Sequence, residues 1–116
     1  MQVQLNTDHH LVGSEDLARR LDDEVQSALA RFRERITRVE MHLNDLNGAK
    51  SGADKRCQIE ARVAGRPPLS VEHTADTVRL AIDGALDKLV RTLDRTFGKL
   101  EADRHRKVDV PDGEAP

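Results

Sequence analysis

The chain has no tryptophan, no tyrosine, two phenylalanines and one cysteine. Each shortage narrows what the protein can do. Proteins that capture single-stranded nucleic acid stack splayed-out bases on exposed aromatic rings. With only Phe32 and Phe97, there is almost nothing here to stack them on. A lone thiol, Cys57, cannot form an intramolecular disulfide and gives no sign of an oxidising compartment. No run approaches the ~20 apolar residues that a membrane-crossing helix requires. Met1-Gln2-Val3-Gln4 lacks the basic start and apolar core of a secretion signal, so a cytoplasmic location is expected.

What is present is charge, and its distribution matters more than its sum. At 116 residues the chain fits one domain, with a formal net charge of -2. That sign argues against a nucleic-acid binder until the charge is divided by segment. Residues 49–66 carry five Lys/Arg against two acids, and residues 76–107 carry eight against six. The tail 108–116 has three acids and no base. A partner bound through charge would have to meet the two basic segments.

Hydrophobic periodicity gives the order of elements. Gln2-Val3-Gln4-Leu5-Asn6 alternates as a half-buried strand does. Ser14 is placed to cap a helix over about 15–34, with Glu15 and Asp16 in its first turn. Its apolar stripe is Leu17, Leu21, Val25, Ala28, Leu29, Phe32 and Ile36. Arg31, Arg33 and Arg35 would then sit near its negative end. Val39, Met41 and Leu43 mark a second strand, and Asn47 to Gly52 reads as a mobile loop. Cys57, Ile59, Ala61 and Val63 alternate along a third strand, and Gly65-Arg66-Pro67-Pro68 turns the chain. A fourth strand points Leu69 and Val71 inward. The last helix is expected to begin near Asp76, a plausible cap, and to run to about residue 105.

The result is an α+β chain of order β-α-β-β-β-α. Its economical packing is a four-stranded sheet with both helices on one face and a polar face left open. Residues 1–105 form the domain, and residues 106–116 are expected to be a disordered acidic tail.

Catalytic and metal-binding patterns find no support. His9-His10 has no cysteine or acid at ligand spacing, and a turn containing histidine explains it better. His42 and His73 lack a partner constellation, and Cys57 falls on the inward face of its strand. No glycine-rich phosphate loop or nucleophile elbow is present. Neither an enzyme nor a cofactor is expected.

The last helix divides into three stripes. At 100° per residue, Arg91, Arg95 and Lys99 fall within about 60° of Lys88 on the helical wheel. Asp83, Asp87, Asp94 and Glu101 make an acidic stripe beside an apolar one. The basic ladder spans about 16 Å, comparable with a few phosphate spacings. Charges on an outer helix face are ordinarily only solvated, and Asp87 with Arg91 is an ordinary i,i+4 pair. A second basic group comprises Lys50, Lys55, Arg56, Arg62 and Arg66, with Arg56 and Arg62 on the open sheet face beside Glu60. On spacing alone these could be cross-strand ion pairs.

Ala81-Ile82-Asp83-Gly84-Ala85-Leu86-Asp87-Lys88-Leu89-Val90-Arg91-Thr92-Leu93 resembles the A-I-D-x-x-x-D-K-L-x-x-x-L signature of the ribosome hibernation-promoting factor and ribosome-associated inhibitor family. Arg35-Ile36-Thr37-Arg38-Val39 and Asp54-Lys55-Arg56-Cys57 follow in the family's order, and the length is similar to the family's short form. The resemblance implies a partner, the small ribosomal subunit and its rRNA at the decoding region, and a role in silencing or protecting idle ribosomes. It makes Lys88, Arg91, Arg95 and Lys99 phosphate contacts, with Lys55, Arg56, Arg62 and Arg66 as a second set. The alternative is a protein-interaction module on the same fold with little RNA affinity, docking through the open sheet face or a sheet edge.

Overall fold

Three alternating runs fold into consecutive antiparallel strands: β2 (Ile36–Asp45), β3 (Lys55–Val63) and β4 (Leu69–Ala75). β1 (Gln2–Thr7) lies parallel to β2, so the sheet order is β1-β2-β3-β4. A parallel pair needs a long crossover, which α1 (Glu15–Ala28) supplies. The computed structural model describes residues 1–7, 15–46 and 55–108, with Glu15 and residues 99–108 as backbone alone. The loop reading of 47–52, the Ser14 cap, His9-His10, Lys50 and residues 109–116 of the expected 106–116 tail lie outside the described residues, whereas 106–108 belong to the last helix.

Period 2 decides which side is buried. Val39, Met41 and Leu43 of β2 and Cys57, Ile59, Ala61 and Val63 of β3 all point to one face and are buried there. α1 and α2 (Val78–Val108) cover that face, as the alternation requires. Ala81, Ile82, Ala85, Leu89 and Leu93 of α2 are fully buried against the strands, joined by Leu21, Val25 and Leu29. The opposite face is polar, with Gln4, Glu40, Glu60 and Ser70 forming one cross-strand row and Asn6, His42, Gln58 and Glu72 the next.

Two boundaries differ from the sequence reading. The first helix ends at Ala28 rather than near 34. Leu29 leaves helical geometry (φ -107°, ψ 16°), and a 3-10 turn over Ala30–Phe32 follows before β2. Apolar spacing carried the helix too far because Leu29, Phe32 and Ile36 remain buried through this change of backbone. The last turn of α1 contains no basic residue, so Arg31, Arg33 and Arg35 do not serve its dipole. The second difference is the cap of α2: the Leu80 N–H donates to Thr77 Oγ1 (3.1 Å), so Thr77 rather than Asp76 caps the helix.

The β3–β4 turn closes through the Arg66 N–H donating to the Val63 carbonyl (3.2 Å), with Gly65 at φ 75°, a conformation that suits glycine. Gly84 serves a different need. An added Cβ there would lie 2.1 Å from Cδ2 of His73, which β4 projects against the helix. Helix propensity favours alanine over glycine by about 1 kcal/mol, whereas overpacking costs roughly 1–3 kcal/mol. Gly84→Ala should therefore destabilise the protein by about 1 kcal/mol in urea unfolding. In a His73→Ala background the same change should become stabilising. A stabilising Gly84→Ala in the otherwise unaltered chain would show that the imidazole does not press on the helix.

Candidate nucleic-acid interface

α2 has one stripe against the sheet, and its two charged stripes meet different neighbours. The acidic stripe faces the first helical segment. Arg79 donates to both Glu24 oxygens (2.7 and 3.0 Å) and to Asp83 Oδ1 (2.8 and 3.1 Å), joining α1 to α2. These hydrogen bonds, Glu24 first, raise the Arg79 pKa above its ordinary value. One helical turn beyond Leu89, Arg31 donates to both oxygens of Asp94 (2.5 and 2.9 Å). That fork holds the Asp94 carboxyl below the usual carboxylate range. Phe32 and Phe97 pack beside it at 5.8 Å between centroids, with the Arg31 and Arg35 guanidiniums each 4.6 Å from a ring.

The basic stripe lies over the β4 edge. Lys88 Nζ donates to the Glu72 carbonyl (2.9 Å), placing an ammonium on the free edge of the sheet. Arg91 pairs with Asp87 on its own helix, and both remain exposed. Arg95 is exposed and has no hydrogen-bond or ion-pair partner among the described residues. Lys99 follows in α2, its side chain outside the described residues.

The second basic set is split by the pleat. Arg56 and Arg62 stand on the open face, Arg56 within 3.4 Å of Asn44 Oδ1 and Arg62 exposed. Arg66 is exposed in the β3–β4 turn. Lys55 shares its side of the strand with Cys57 and Ile59, facing the helices, where its ammonium lies 3.5 Å from Asp45. It does not join Arg56 and Arg62 on one surface.

What spacing along the chain did not bring together is the neighbourhood of Arg62 and Arg66. The Ala64 N–H donates to the Arg35 carbonyl (2.9 Å), and Arg38 stands opposite Arg62 in the register. Arginines from the start of β2 thus meet those from the end of β3. The Arg-x-Arg-x-Arg spacing at 31–35 was the available signal.

Residues 6–101 match the family model described as sigma 54 modulation protein / S30EA ribosomal protein. The chain belongs to this family. Among solved structures, the Protein Y N-terminal domain from Thermus thermophilus superposes with a TM-score of 0.60 at 24% identity, over 83% of this chain and 99% of that one. A ribosomal subunit interface protein from Coxiella burnetii gives a TM-score of 0.63 at 15% identity, over 84% and 99%. These likenesses carry the fold. No curated protein sequence matches the chain.

The signature stretch Ala81–Leu93 of this S30EA-family member contains Asp83 and Lys88, the residues that meet Arg79 and β4. Among the described residues, no group of three or more His, Cys, Asp or Glu side chains could hold a metal ion, and no helix is long and apolar enough to cross a membrane. Cys57 is fully buried, and desolvation raises its thiol pKa to about 12. A thiol reagent at neutral pH should label Cys57 only at the rate of unfolding; rapid labelling of folded protein would contradict its burial.

Asp94 gives a pH prediction with a definite sign. Its folded pKa lies below the ordinary 3.8, so the Arg31 fork stabilises the fold fully above that value. The contribution is lost as pH falls through the lowered folded pKa. The stability difference between the native chain and Asp94→Asn should be constant near neutrality and shrink below about pH 4. Thermal melts across this range measure it; a difference that grows in acid would refute the sign.

Proposed function

We propose that this protein is a ribosome-associated translation regulator that binds the small subunit near its decoding region. Contacts run from the basic stripe of α2 to rRNA phosphates, and they silence or protect idle ribosomes by occupying that site. The observation that carries this reading is the placement of Arg91 and Arg95, both exposed, on a helix face that packs neither against the sheet nor against α1. Membership of the S30EA family supports a ribosomal partner, and one protein of the same fold is itself a ribosomal subunit interface protein. The scarcity of aromatics favours phosphate contact over base stacking.

A second reading rests on the open sheet face. Arg38, Arg56 and Arg62 there are balanced by Glu40, Glu60 and Glu72, with Glu40 directly opposite Glu60. A neutral, hydrogen-bonding face of this kind suits a protein partner better than a phosphate backbone.

Co-sedimentation with purified small subunits separates the two. The native chain should bind, and its affinity should fall steeply with rising salt as counterion release predicts. Arg91→Glu/Arg95→Glu, which spares the Lys88 contact to β4, should lose at least about tenfold in affinity while melting like the native chain. Unchanged binding by this variant would favour the open-face reading, and no binding by the native chain would end the ribosomal one.

A further inference from the structure

The chain is slightly acidic overall, yet the fold collects positive charge at one end of the sheet. Arg33, Arg35, Arg38, Arg62 and Arg66 all lie within three residues of the hydrogen bond between the Ala64 N–H and the Arg35 carbonyl, against one acid, Glu34. Two of the five have structural employment: Arg35 sits over the Phe97 ring, and Arg38 is 2.9 Å from Glu40. Arg33, Arg62 and Arg66 do not. All three are exposed, and among the described residues none of their side chains makes a hydrogen bond or ion pair.

At the opposite end, where β2 finishes and β4 leads into α2, the described bases of the strands are engaged: Lys55 with the nearly buried Asp45, and Arg56 with Asn44. Exposed arginines without a partner among the described residues thus cluster at the first end. A local basic patch of this kind orients a molecule of near-zero net charge on a polyanion, the patch leading.

The geometry also makes the basic end continuous with α2. Phe97 touches Arg35, and Asp94 holds Arg31, so the Arg91–Arg95 stretch of α2 arrives at the same end of the sheet. The stripe of α2 lies on the β4 side, as the Lys88 contact to Glu72 fixes, and the β3–β4 turn carrying Arg66 closes that side. Arg66 is held between Gly65 and the fixed φ of Pro67, so little backbone freedom would be lost when it engages a ligand.

We infer that the end of the sheet formed by the 3-10 turn–β2 junction and the β3–β4 turn is a second phosphate-contact surface, with Arg33, Arg62 and Arg66 as its contacts. It takes the sugar–phosphate backbone of structured RNA and turns the protein so that this end and the α2 stripe face the RNA while the Asp45–Asp76 end faces away. The inference rests on the ribosomal reading and adds an orientation to it.

The test is a salt titration of the 116-residue chain on purified small subunits, comparing two variants that remove the same charge. Arg33→Gln/Arg66→Gln strips the basic end; Arg19→Gln/Arg20→Gln removes two exposed arginines of α1. The first should weaken binding by about 10- to 100-fold at moderate salt and reduce the slope of log K against log[salt] by about 1.4–1.8, the counterions of two phosphates. The second should leave the slope unchanged. Equal effects from both variants would overturn the inference and leave the ribosomal reading standing if Arg91→Glu/Arg95→Glu still loses at least about tenfold in affinity. Absence of binding by the native chain would overturn both.

Discussion

A helix lying on a sheet can present only one stripe to it, and α2 must place Ala81, Ile82, Ala85, Leu89 and Leu93 there because β2 and β3 have a single apolar face. Everything charged on α2 is sorted by that one choice. Rotation about the helix axis is fixed, so the acidic stripe turns toward α1 and the 3-10 turn, and the basic stripe turns toward the β4 edge. Arg79 and Arg31 use the acidic stripe to fasten the first helical segment to the second. Exposed pairs of this kind contribute little stability individually. Their larger effect is on position, since Arg31 with Asp94 and Phe32 with Phe97 set the junction into β2 against α2.

The acids and bases of this chain therefore do different work despite their near-equal numbers. On α2, Asp83 and Asp94 are occupied inside the molecule, whereas Arg95 is left without a partner among the described residues. Arg33, Arg62 and Arg66 are left the same way at the end of the sheet. A net charge of -2 describes the sum and hides this division. Phosphate binding depends on which cations remain available on a common surface, not on the total.

Much of the fold was legible in the sequence because its patterns are long and consistent. Alternation in β2 and β3 and the stripe from Val78 to Phe97 each have one reading, and together they force two helices onto one side. The boundaries were harder: Phe32 and Ile36 keep a helical spacing after the helix has ended, and Asp76 and Thr77 are adjacent residues of equal capping chemistry. Lys55 could have been placed correctly, since it shares the parity of Cys57 and Ile59. Charge alone grouped it with Arg56 and Arg62, and the pleat put it by Asp45. The pairing of Arg31 with Asp94, 63 residues away, has no local signal. The meeting of β2 and β3 arginines likewise needs the strand register before it can be seen.

Under the proposed function, the protein meets RNA with the α2 stripe and the basic end of its sheet, not with its open face. An electron cryo-microscopy map of the full chain on the small ribosomal subunit tests this directly. Density for rRNA phosphates is expected beside Arg91, Arg95 and the turn carrying Arg66, with the end of the sheet that holds Asp45 and Asp76 facing away from RNA. A map in which Glu40, Glu60 and Gln58 of the open face form the contact, or in which α2 points away from RNA, would contradict it.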